Sequence, residues 1–131
     1  MKPRPAFLLA VLLGISFALA CGAGSHHSLQ SVSVSPLAAA SSQAQFTATG
    51  TYDTIPTSAD ITGTTTWCIG STSGLCASDV AMFAEVTAGL AQCSPGFSGT
   101  VTVLAGQAGP PPGLNQGSQL NPFGAAQLTC P

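Results

Sequence analysis

The residues Ser31-Val32-Ser33-Val34-Ser35 alternate strictly between polar and apolar and stop at Pro36. A period of two sends successive side chains to opposite faces of an extended chain, so this run predicts a half-buried strand that proline ends. The same period returns in Gln45 to Tyr52, where Phe46, Ala48 and Tyr52 share a phase. It returns in Ile61 to Ile69 (Ile61, Thr65, Trp67, Ile69), in Gly99 to Ala105 (Val101, Val103, Ala105) and in Ala125 to Cys130 (Ala126, Leu128, Cys130). Val80 to Thr87 gives a blurred version, with Val80, Met82, Ala84 and Val86 together and a helical turn as the alternative. Leu90 to Cys93 is a short run between turns at Ala88-Gly89 and Ser94 to Gly96. No stretch offers an amphipathic helix of about ten residues. About seven short strands with turn signals at this spacing predict an all-β chain, an antiparallel β-sandwich. Trp67, Phe46, Val101 and Val103 are its expected core.

Between these runs the pattern fails. Residues 37–44 are alanine-rich but too short and polar for a helix. Residues 53–60 read as a turn-rich break and residues 70–79 as a loop. Residues 106–122, rich in glycine and proline, read as a loop too long to be ordinary and too polar to be core.

The chain begins with a short cationic stretch, Met1 to Pro5, followed by the uncharged run Ala6 to Ala20. That is the pattern of a signal peptide over residues 1–20, and the apolar run is short for a bilayer span, which needs roughly 20 residues. Ala18-Leu19-Ala20-Cys21 combines an A-x-A cleavage site with an immediate cysteine and resembles a bacterial lipobox. The usual leucine three places before the cysteine is here Ala18, with Leu19 one place later. The resemblance implies that Cys21 carries acyl chains and is the membrane anchor, with ordinary secretion as the alternative. Several chains anchor stably because each buried methylene adds roughly 0.8 kcal/mol. Gly22 after the cysteine resembles an outer-membrane address. Residues 22–30 are small and polar and read as a flexible tether, which divides the chain into leader, lipidated tether (21–30) and one domain (31–131).

Both cationic residues, Lys2 and Arg4, lie in the leader. The remainder carries Asp53, Asp60, Asp79 and Glu85 and no lysine or arginine. Nucleic acid is thereby excluded as a partner, because its affinity comes from cations neutralising phosphates. Attraction to anionic lipid headgroups fails for the same reason. A phosphate-binding loop would lack its lysine.

In order along the chain stand Val32-x-Val34-x-Pro36, Gln45 to Tyr52 (QFTATGTY), Thr65-Thr66-Trp67, Val86 to Leu90 (VTAGL), and Gly99 to Val103 with Ala105. As a set this resembles the group 2 bacterial immunoglobulin-like domains over about residues 30–105. The resemblance implies an immunoglobulin-like β-sandwich with Trp67 between its sheets. It also implies adhesion, surface spacing or carbohydrate contact, not catalysis. The chain departs from the family in having one copy, four cysteines in the domain and the 106–122 loop; a single copy argues against a spacer.

Five cysteines are an odd number, and acylation of Cys21 leaves Cys68, Cys76, Cys93 and Cys130. Outside the cytoplasm four cysteines predict two disulfides, in one of three pairings. If Trp67 points inward, Cys68 points outward, toward the loop that holds Cys76. Cys93 and Cys130 share the inward phase of Ala91 and Leu128. Phase therefore favours Cys68–Cys76 with Cys93–Cys130; Cys68–Cys93 with Cys76–Cys130 is the alternative. A zinc site is the rival to both, but no C-x-x-C pair occurs.

No catalytic constellation stands out, and neither a cofactor nor a resident metal is expected. His26-His27 reads as solvated tether. Gly70-Ser71-Thr72-Ser73-Gly74 approaches a nucleophile elbow but is centred on threonine. Asp53 and Asp60 flank a turn and could share a calcium ion, although solvated turn residues are the plainer reading. Tyr52, Trp67 and Phe97 could form a sugar-stacking surface; with Trp67 assigned to the core, Phe97 and Phe123 are the better exposed candidates. Three functions stay open. The first is a lipid-anchored interaction module of the bacterial cell envelope, touching a surface polysaccharide or protein. The second is a structural envelope lipoprotein without a ligand, and the third a small secreted carbohydrate-binding module, hydrolase or inhibitor.

Overall fold

A computed structural model describes residues 27–77, 83–109 and 118–131. The expected leader (residues 1–20), Cys21 and the expected tether through His26 lie outside these residues, as do Val80 and Met82. Ten strands form among the described residues and no helix.

One layer is the four-stranded sheet β2-β10-β9-β6, made of β2 (Ala38–Ala40), β6 (Thr66–Gly70), β9 (Gly99–Ala108) and β10 (Leu120–Cys130). The other layer has two parts. β1 (Leu29–Ser35), β4 (Thr47–Tyr52) and β5 (Ser58–Asp60) form one; β3 (Gln43–Gln45), β8 (Leu90–Cys93) and β7 (Ala84–Thr87) form the other. The continuous segment 43–52 joins them, with Phe46 between β3 and β4 donating its N–H to the Gly89 carbonyl at 2.8 Å. This is an all-β sandwich of immunoglobulin-like connectivity, in which the first strand changes sheet at Pro36 and the last two strands pair beside β6.

The alternating runs explain the layers. Val32 and Val34 of β1, Ala48 of β4, Ile69 of β6, Val101, Val103 and Ala105 of β9, and Ala126, Leu128 and Cys130 of β10 are all buried in one cluster with Phe46, Ala84 and Ala91. Trp67 is half-buried against that cluster.

Several elements differ from the sequence reading. Three-residue strands β2, β3 and β5 arise in segments 37–44 and 53–60, so ten strands replace about seven. They form because neighbouring strands offer unpaired backbone groups: β3 pairs with β8 and β5 with β4, and β2 joins β10 in parallel, which makes that sheet mixed rather than antiparallel. The strand expected from Ile61 begins at Thr66, because the N–H groups of Thr64 and Thr65 both turn back to the Ile61 carbonyl. The expected loop 106–122 is shorter. β9 continues to Ala108 and pairs with β10 from Leu120, with a register break between Leu120 and Phe123 where Pro122 has no N–H to donate.

The outer face of the β9–β10 sheet carries a second small core. Leu104 and Leu120 are fully buried there, outside the main cluster. The segment Ser71–Cys76 straps across them: Leu120 N–H donates to the Gly74 carbonyl at 2.9 Å and Cys76 N–H to the Ser118 carbonyl at 2.9 Å. The Cys68–Cys76 disulfide (Cα–Cα 5.6 Å) fixes the strap to β6. The Cys93–Cys130 disulfide (Cα–Cα 5.9 Å) joins β8 of one layer to β10 of the other.

Candidate functional site

The chain enters the sandwich at one end, and His27 is already part of the fold. Its ring lies over Tyr52 with centroids 4.0 Å apart and planes 12° apart. Its Nδ1 lies 2.7 Å from the Thr54 hydroxyl. Next to it Ser28 N–H donates to Asp53 Oδ1 at 2.8 Å, and Asp53 N–H donates back to the Ser28 carbonyl at 3.2 Å. The last residues of the expected tether are therefore held against the β4–β5 turn. β1 starts at Leu29 because Leu29 pairs with Tyr52.

Beside this stacked pair a cleft of about 390 Å³ opens. Its walls are the start of β1, the turn Thr64–Thr66 and the end of β9 at Gly106–Ala108. The size lies in the range of small-molecule sites. The lining offers hydroxyls (Ser28, Tyr52, Thr64, Thr65, Thr66), the Gln107 amide and the His27 ring, with Leu29 and Ile61 behind them and no carboxylate or cationic chain. Thr65 is committed inward, donating to the Gly106 carbonyl at 2.9 Å. Such a wall can exchange hydrogen bonds and stack a flat face, and it holds no carboxylate, lysine or arginine to pair with an ion.

A second hollow of about 430 Å³ lies between Ile69, Val101, Ala77 and the ring pair Phe83–Phe97. Those rings meet edge to face, centroids 5.2 Å apart.

The structure disperses most of the other candidates. Asp53 and Asp60 each serve their own turn: Asp53 takes the Ser28 N–H, and Asp60 takes the Thr62 N–H at 2.8 Å. Asp60 pairs across with Thr49, four residues down the strand from Asp53, which is about 13 Å at strand rise. Among the described residues no three His, Cys, Asp or Glu side chains gather. The hydroxyls of Ser71 and Ser73 bond each other at 2.7 Å within the strap. Neither Phe97 nor Phe123 is freely exposed. Phe97 packs on the core, and Phe123 is half-buried against Gly74, whose missing side chain leaves it room. Among the described residues the large apolar side chains that are exposed, Leu37, Ile55, Leu75 and Phe83, sit in three separate connections. The sequence reading missed the His27–Tyr52 pair, because 25 residues separate its members and no local pattern links them. Its trace in the sequence is only that Tyr52 shares the phase of Phe46 and Ala48.

Compared with known proteins, the chain matches no family model and no curated relative.

Proposed function

We propose that this protein is a lipid-anchored, immunoglobulin-like interaction module of the bacterial cell envelope, of the group 2 kind. Its end cleft takes an uncharged, polyhydroxylated ligand, a surface polysaccharide segment. The observation that carries this reading is the cleft lining of hydroxyls, an amide and a stacked His27–Tyr52 pair, without a carboxylate, lysine or arginine. Two disulfides support the compartment, since such bonds persist in oxidising surroundings. Acylation of Cys21 would leave no unpaired cysteine.

The ligand is tested by titrating the isotope-labelled processed protein with neutral glucan, galactan and chitin oligosaccharides. Amide shifts confined to residues 27–29, 52, 64–66 and 106–108, and lost in Tyr52→Ala, support the reading. Absence of shifts with every sugar overturns it. The anchor is tested with globomycin and with Cys21→Ala. Globomycin should make the membrane-bound, uncleaved precursor accumulate, and Cys21→Ala should leave the membrane fraction; normal maturation under globomycin together with unchanged fractionation of Cys21→Ala sinks acylation. A second reading, a structural envelope lipoprotein without a ligand, draws on one observation: among the described residues the exposed large apolar side chains are scattered rather than gathered into an adhesive patch.

A further inference from the structure

The place where the chain meets the sandwich also fixes which end of the molecule an anchor at Cys21 holds. His27 is pinned by its stack on Tyr52 and its bond to Thr54, so the tether cannot peel back freely along β1. Six peptide steps separate Cys21 from His27, a reach of at most about 20 Å. The body is longer than that. β10 has eleven residues, about 33 Å of strand. It runs from the tether end, where Leu120 pairs with Ala108 beside the cleft, to the Cys93–Cys130 disulfide at the far end.

At the tether end the β4–β5 turn projects Thr54-Ile55-Pro56, and Ile55 is 91% exposed, the most exposed large apolar side chain described. The tip's one carboxylate, Asp53, already holds the Ser28 N–H. No lysine or arginine follows the leader, so this end gains nothing from headgroup charge. What it can offer a bilayer is apolar area.

We infer that the Thr54–Pro56 tip docks on the bilayer that holds the acylated Cys21, with Ile55 at headgroup depth and the Cys93–Cys130 end directed away. This rests on the anchoring reading above. It places the cleft at the membrane surface, so the ligand that reaches it belongs to the layer next to the bilayer.

The test uses the acylated protein in phosphatidylcholine nanodiscs doped with a gadolinium-chelating headgroup lipid. Amides of Thr54, Ile55 and Thr57 should broaden strongly and those of Cys93, Ser94 and residues 96–99 little. Ile55→Ser should lower the docked population roughly tenfold, the value of about half an isoleucine's burial. Equal broadening at both ends, or stronger broadening at residues 93–99, overturns the proposal. The intact mass of the processed protein decides separately whether Cys21 is acylated. If it is not, that reading falls, and coupling the free Cys21 thiol to a maleimide lipid lets the same measurement decide docking alone, the other four cysteines being paired.

Discussion

The indole N–H of Trp67 donates to the carbonyl of Thr62 at 2.8 Å. Thr62 is engaged at its other polar ends as well: its N–H reaches Asp60 Oδ1 at 2.8 Å, and its hydroxyl accepts the Ala48 N–H at 2.9 Å. Ala48 belongs to β4 and Trp67 to β6, so this one threonine ties the two layers together at the edge of the cleft. Trp67→Phe removes the donor and some packing area and should cost about 2 kcal/mol. Thr62→Val leaves the Ala48 N–H without its partner and should cost about 1–3 kcal/mol. Urea unfolding followed by far-ultraviolet circular dichroism measures both. Losses within about 0.3 kcal/mol of zero would show that the tie is idle.

The β7–β8 turn holds both central residues at positive φ, Ala88 at 47° and Gly89 at 82°. That is the hairpin turn that matches strand twist, and alanine suits its first position poorly. Ala88→Asn should therefore stabilise the fold by about 0.5–1 kcal/mol. Gly89→Ala should destabilise it by more than about 2 kcal/mol, since a Cβ there collides with the Phe46 carbonyl as well as straining the backbone. Thermal unfolding of the two variants should move in opposite directions; movement in the same direction would contradict this account of the turn.

What the sequence made legible follows from length and period. Val32, Val34, Ala48, Val101, Val103, Ala126 and Leu128 sit in long alternating runs, and all of them are buried. Ala38–Ala40 and Ser58–Asp60 carry no such signal. They become strands because β10 and β4 have an open edge, a fact of the neighbour rather than of the segment. Leu104 and Leu120 were illegible for a related reason. They face away from the main core, and only the strap Ser71–Cys76 makes that face an interior. The cleft was least legible, because its walls come from separate parts of the chain that meet only in the fold.

The two disulfides should differ in worth. Cys93–Cys130 spans a sequence separation of 37 and Cys68–Cys76 one of 8, and the two loops do not overlap. Loop-closure entropy then gives about 4 kcal/mol for the first and about 2.5 kcal/mol for the second. The Cys93→Ala/Cys130→Ala double variant should lose more stability than Cys68→Ala/Cys76→Ala, and the losses should nearly add in the quadruple variant. Guanidinium unfolding gives all three values, and a reversed order would point to native-state packing of the strap as the dominant effect.

The strap itself can be probed from beneath. Leu104→Ala opens a hole under a fully buried position and should cost about 2–5 kcal/mol. The neighbouring residue Thr102, which faces the same side but lies only partly covered, should tolerate alanine within about 0.5 kcal/mol. Hydrogen exchange adds the local readout. The amides of Leu120 and Cys76, which bond across the strap, should lose protection in Leu104→Ala before those of Val101 and Val103 do.

Asp60 gives the chain an acid sensitivity whose sign can be worked out. The Thr62 hydroxyl and the Thr62 N–H both bond its charged carboxylate and hold it below its ordinary value of 3.8. A group lowered in the folded state stabilises the fold above its ordinary value, and that stabilisation disappears as pH falls through the lowered one. Asp60→Asn keeps an oxygen for the Thr62 N–H but removes the charge. The melting temperatures of the native protein and the Asp60→Asn variant should differ by a constant amount between about pH 5 and pH 7 and converge progressively below about pH 4. The carboxylate is fully exposed, so the difference should also shrink in about 1 M salt. A gap that persists unchanged into strong acid would mean that the charge contributes nothing and that the Asp60–Thr62 turn is held by hydrogen-bond geometry alone.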